Sequence, residues 1–137
     1  DLLIVPVVGF AIALGATGCG KVKQCNDFIK EANESQTSFN SVASALGKKD
    51  EAKKVHDDID AAIAKVEKVD LSDEKLVGFQ KRWVDGLKGL NKTLEDVGDA
   101  AGGTDLKKMT DLQKKISKQT TDLTSLISEI NGYCQGS

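Results

Sequence analysis

Histidine is almost missing from this 137-residue chain: there is one, His56. A single imidazole nearly exhausts the usual source of a general base near neutral pH, and leaves too few nitrogen ligands for an ordinary zinc or haem site. Proline is equally scarce, with Pro6 alone, so nothing after residue 6 carries that helix breaker. Aromatic residues make up 4% of the chain, too few for a platform on which bases could stack, and 19 basic against 21 acidic residues give no polycationic surface. Nucleic acid is therefore not an expected partner. The length suits one domain able to bury a core without metal staples.

Charge is missing altogether from residues 2–16, LLIVPVVGFAIALGA, whereas most later stretches of seven residues carry at least one charge. The run is shorter than the roughly 20 apolar residues that a spanning helix needs, and Pro6, Gly9 and Gly15 weaken it further as a permanent helix. A secretory hydrophobic region fits better than a membrane span. No basic residues precede it, so the signal is expected to have a truncated n-region over residues 1–18.

Small residues, Ala16-Thr17-Gly18, then lead directly into Cys19. This arrangement resembles the precursor of a bacterial lipoprotein, a family in which that cysteine is diacylated on sulfur and the signal is cut just before it. The family prefers Leu three residues before the cysteine; here Ala16 holds that place, with Leu14 two residues earlier. The resemblance covers four residues and implies lipidation of Cys19 and attachment to a bilayer. Because Gly20 rather than Asp follows, it also implies the outer membrane, with the protein facing the periplasm or the cell surface. Ordinary secretion with cleavage after Ala16 or Ala13, and an uncleaved anchor, are the alternatives.

Three cysteines are an odd number for a secreted protein. Lipidation of Cys19 resolves the oddness by leaving Cys25 and Cys134 as a pair, in a compartment where disulfides persist. Two separate thiols are the competing reading. Residues 19–25 would then form a lipidated tether that, at no more than about 3.5 Å per residue, keeps the folded domain, 26–137, within roughly 20 Å of the lipid.

In that domain apolar residues recur at steps of three and four, the mark of helices buried on one face. Cys25, Phe28, Ala32, Ser35, Phe39, Val42 and Leu46 define a helix over 26–47, with Asn26 as cap and Gly47 as stop. Ala52, Val55, Ile59, Ala62, Val66 and Val69 define a second after Asp50. Leu76, Phe79, Trp83, Leu87, Leu90, Leu94 and Val97 define a third that starts at Ser72. Leu106, Met109, Leu112, Ile116, Leu123, Leu126, Ile127 and Ile130 define a fourth, capped by Thr104 and weakest over the polar stretch 117–122. No alternation of strand type is present in this part. The expected fold is all-α: an antiparallel up-down-up-down four-helix bundle, which brings Cys25 and Cys134 to the same end. The loop between the longer third and fourth helices forms the opposite tip, where Asp99, Gly102 and Gly103 are the candidate contact residues.

Candidates for chemistry are few. His56 and Asp60 share a helix face beside Asp57 and Asp58, which offers two metal ligands where stable sites use three or four; a charged helix face is the simpler account and no metal is expected. His56 with Met109 as haem ligands has no supporting motif. No nucleophile elbow accompanies the histidine. Lysine pairs at 48/49, 53/54, 107/108 and 114/115 alternate with acids and read as solvated faces. The expected function is non-enzymatic and cofactor-free: an anchored envelope protein that contacts another envelope component. The alternative is a small-ligand carrier with room left near Trp83 by Gly86 and Gly89.

Overall fold

The computed structural model describes residues 19–136, without the side chains of Cys19 and Ala43, so the expected signal segment 1–18 lies outside the described residues. These residues form four helices and no strand: α1 (Cys19–Asn40), α2 (Lys49–Glu67), α3 (Glu74–Ala100) and α4 (Leu106–Gln135), with a 3-10 turn (Val42–Ala45) between α1 and α2. Helix α1 packs on α2 and α4, and α3 packs on both α2 and α4.

The seams read from the sequence are the buried faces. Phe28, Phe39, Ile59, Leu76, Trp83, Leu87, Leu90, Leu94, Val97 and Ile130 are all but inaccessible. Their spacing of three and four residues puts them on one stripe of each helix, and burial of each large side chain contributes roughly 1.5–3 kcal/mol. Trp83 occupies the centre, tilted against Phe39 with ring centroids 5.9 Å apart. Its Nε1–H donates to Ser35 Oγ at 3.0 Å, and that hydroxyl reaches back to carbonyls of its own helix, so the buried polar groups satisfy one another.

Helix ends differ from expectation. Helix α1 begins at Cys19, so Asn26 lies within it, and the segment 19–25, expected as a tether ahead of the first helix, is its first two turns. The Lys23–Asp27 pair, 2.7 Å apart one turn from each other, spans the expected boundary. At its other end α1 gives way after Asn40 to the 3-10 turn, whose three-residue period still buries both Val42 and Ala45; Gly47, at φ +82°, follows it. Asp73 rather than Ser72 caps α3, accepting from the Lys75 and Leu76 N–H groups at 3.0 Å each. Asp105 rather than Thr104 caps α4 through Lys108 N–H. The Val66 carbonyl in the last turn of α2 and the Val69 carbonyl just beyond it are met from α3, where Gln80 Nε2 donates to both.

Two glycines on α3 face α4, one at its polar stretch and one just beyond it. A Cβ at Gly86 would lie 2.7 Å from Leu123 Cδ2, so its absence lets the two helices close; at Gly89 the nearest neighbour is Gln119 Nε2, at 3.6 Å. The space near Trp83 expected for a small ligand is thus filled at Gly86 by Leu123. Two substitutions separate the roles of these glycines. Gly89→Ala removes a helix-interior glycine without a clash and should stabilise by about 0.5–1 kcal/mol. Gly86→Ala forces buried Leu123 to move, and should leave the protein about 1–3 kcal/mol less stable than Gly89→Ala in urea unfolding monitored by Trp83 fluorescence.

Candidate functional site

The three connections that hold one end of the molecule involve residues far apart in sequence. Cys25, in the second turn of α1, is bonded to Cys134 in the last turn of α4 across 109 residues, with Cα atoms 5.9 Å apart. Beside the bond, Gln24 on α1 accepts from the Ser72 and Asp73 N–H groups through Oε1, at 2.8 and 3.0 Å, and donates from Nε2 to Ser72 Oγ at 3.0 Å. Ser72 is thus held by α1, and the next residue takes over as cap of α3. Tyr133, next to the bridge, donates its hydroxyl to the Asp73 carboxylate at 2.9 Å and packs edge-on to Phe79. Lys21 from the first turn of α1 stands 3.9 Å above the Tyr133 ring.

These contacts set the local electrostatics. The Leu76 N–H at the start of α3 holds the Asp73 carboxyl below its ordinary value, against an opposing effect of burial; the Tyr133 hydroxyl, the Lys75 N–H and the Lys21 charge act in the same sense as Leu76. Tyr133 is correspondingly raised, chiefly because its proton is bonded to Asp73.

Asp99, Gly102 and Gly103 lie about 40 Å away along α3, at the connection to α4. All three are exposed, and Gly102 adopts φ +85°, a conformation that a side chain would strain. Leu106 follows at the start of α4 and is 79% exposed. Its place in the seam predicts burial, but α4 reaches its first fully buried residue only at Leu112, so Leu106 extends the candidate contact tip instead.

Cys19 opens α1, and its side chain is outside the described residues. His56 and Asp60 do share a face of α2, and α3 adds Glu95, whose Oε1 lies 3.0 Å from His56 Nε2. Sequence reasoning missed Glu95 because it is 39 residues away, on another helix. Among the lysine pairs, Lys48 and Lys53 are bonded to Glu51 and Asp57. No described helix is long and apolar enough to cross a membrane. No protein-family model matches the chain, and comparisons with curated proteins and with solved structures find no match.

Two measurements probe the bridged end. Reduction of Cys25–Cys134 releases a closed loop of 109 residues, and should cost up to about 4–5 kcal/mol, lowering the thermal midpoint by roughly 10–20 °C. An unchanged midpoint would contradict a structural bridge. The Asp73–Tyr133 bond should also impose a pH dependence with two limbs. A lowered carboxyl stabilises fully above its unfolded value, near 3.8, and the contribution is lost as pH falls below that. A raised phenol stabilises fully below its unfolded value of 10.0, and that contribution is lost as pH rises above it. Tyr133→Phe should flatten the alkaline limb and weaken the acid one in stability curves measured across this range.

Proposed function

We propose that the protein is a non-enzymatic, lipid-anchored component of a bacterial envelope, in which acylated Cys19 holds an up-down-up-down bundle of four antiparallel helices against a membrane and the α3–α4 tip is presented to an envelope protein. The pairing of the cysteines is the observation that carries this reading. With Cys25 and Cys134 bonded to each other, Cys19 is the one cysteine outside the bridge, and it stands directly after an apolar run and small residues. A lipid accounts for both its position and its being left over when the other two cysteines pair.

The mechanism is anchoring combined with presentation. Each buried acyl CH₂ contributes about 0.8 kcal/mol, and two or three chains make attachment stable. A helix that begins at Cys19 places the bridge only about 9 Å from the anchor, because six residues rise 1.5 Å each. The bond and the Gln24 contacts then make the anchored end stiff, and the domain is held close to the bilayer. On this arrangement Asp99, Gly102, Gly103 and Leu106 are the residues farthest from the lipid, with an apolar side chain and exposed backbone available to a partner. The outer membrane, as the Gly20 analogy implies, is the proposed site.

Mass spectrometry of fractionated cells tests the anchor. The mature chain is expected in the membrane fraction, beginning at Cys19 and carrying a thioether-linked diacylglycerol. Cys19→Ser should remove the acyl mass while leaving the Cys25–Cys134 bond intact. Recovery of native protein as a soluble chain with an unmodified Cys19 thiol overturns the reading.

A further inference from the structure

The sequence places two metal-ligating residues on one face of α2; the fold adds two polar residues from α3 to the same shallow hollow. We propose that His56, Asp57 and Asp60, backed by Glu95 and Asn91, bind a divalent transition-metal ion of the zinc class.

Three ligand atoms converge. His56 Nδ1 lies 3.5 Å from Asp60 Oδ2 and 3.6 Å from Asp57 Oδ1. One ligand atom from each residue lies within 4.8 Å of the other two. A tetrahedral ion with bonds of about 2.0–2.2 Å holds its ligands about 3.4 Å apart, so two edges of the site are already close to size. One imidazole nitrogen with carboxylate oxygens suits zinc and its neighbours in the first transition row, whereas calcium and magnesium favour oxygen alone.

The other nitrogen of the ring explains why this is more than an acidic surface. Glu95 Oε1 stands 3.0 Å from His56 Nε2 and accepts a hydrogen bond only when Nε2 carries hydrogen. In the neutral ring Nδ1 is then the bare lone pair, and it faces two carboxylate oxygens. A lone pair and two anions are brought together favourably only by a cation between them, either a proton or a metal. A carboxylate on the far nitrogen of a histidine is also the usual outer support of a metal-bound imidazole.

Asn91 supplies an independent observation. It is 5% exposed and lines the hollow with His56, Asp60 and Glu95. Its Nδ2 donates to Asp60 Oδ1 at 2.7 Å and to the His56 carbonyl at 3.2 Å, which leaves Asp60 Oδ2 to face Nδ1. Its Oδ1 is buried and has no hydrogen-bond partner. A buried amide oxygen without a donor is uncommon in folded proteins. The nearby ammonium groups do not fill the place: Lys53 binds the outer oxygen of Asp57, and Lys88 is paired with Glu67. Lys92 also lines the hollow, so an ion must be held against its charge.

Zinc binding to the untagged full chain, with Cys19→Ser so that the third cysteine offers no sulfur ligand, tests the proposal. Equilibrium dialysis against zinc chloride should retain one equivalent. Because His56 is the sole histidine, its ring nitrogens give one unambiguous pair of ¹⁵N resonances; Nδ1 should move on zinc addition while Nε2 keeps its proton. Asp60→Asn and His56→Gln should each weaken binding at least tenfold with unchanged helicity by circular dichroism, and Glu95→Gln by roughly 10–100-fold. No retained zinc, an unmoved Nδ1 resonance, ligation through Nε2, native affinity in Asp60→Asn, or equal retention of calcium would each overturn it.

Discussion

The covalent bond between Cys25 and Cys134 joins the two helices that are hardest to bring together. The contact between α1 and α4 closes a loop of 109 residues, the longest separation across which any pair of helices here must meet. Closing such a loop carries an entropic cost that the bond shifts onto the unfolded state. Once α1 and α4 are tied, Gln24 and Tyr133 lie within reach of Ser72 and Asp73, and the α2–α3 connection is fastened to both. One end of the molecule therefore depends on four side chains around a single bond.

Away from that end, cohesion comes from apolar packing around Trp83 rather than from charge. Each helix carries one exposed lysine–aspartate pair a turn apart: Lys23–Asp27, Lys53–Asp57, Lys81–Asp85 and Lys118–Asp122. Pairs of this kind contribute a few tenths of a kcal/mol each, which keeps the helices soluble without determining how they pack. The arrangement divides the surface into regions with different chemistry. A bridged end adjoins Cys19, a glycine-rich tip exposes Leu106, and on the flank between them carboxylates of α2 and α3 gather on the one imidazole.

Much of the helical fold is legible in the spacing of apolar residues, because a side chain's position around its own helix depends only on local geometry. The seams through Phe28, Ile59 and Trp83 are buried as their periodicity predicts. Helix ends were less legible, for a reason visible at Ser72. Serine and aspartate are both good caps, and the choice between them was made by Gln24, which occupies Ser72 from another helix and leaves Asp73 to bind the first turn of α3. At the end of α1 the apolar steps continue unbroken into the 3-10 turn, since residues three apart stay on one side in both kinds of helix.

By itself the amino-acid sequence determined which faces are apolar, that the chain is helical where its seams run, and that three cysteines leave one over when two pair. All of these follow from composition and from the period of a single helix. Only the tertiary structure decided that Leu106 is exposed, that Leu123 fills the space beside Gly86, and that Glu95 and Asn91 stand against His56 and Asp60. Each of these depends on the axial register and rotation of one helix against another. Those are set by how side-chain volumes interlock across the interface, and no local pattern encodes them.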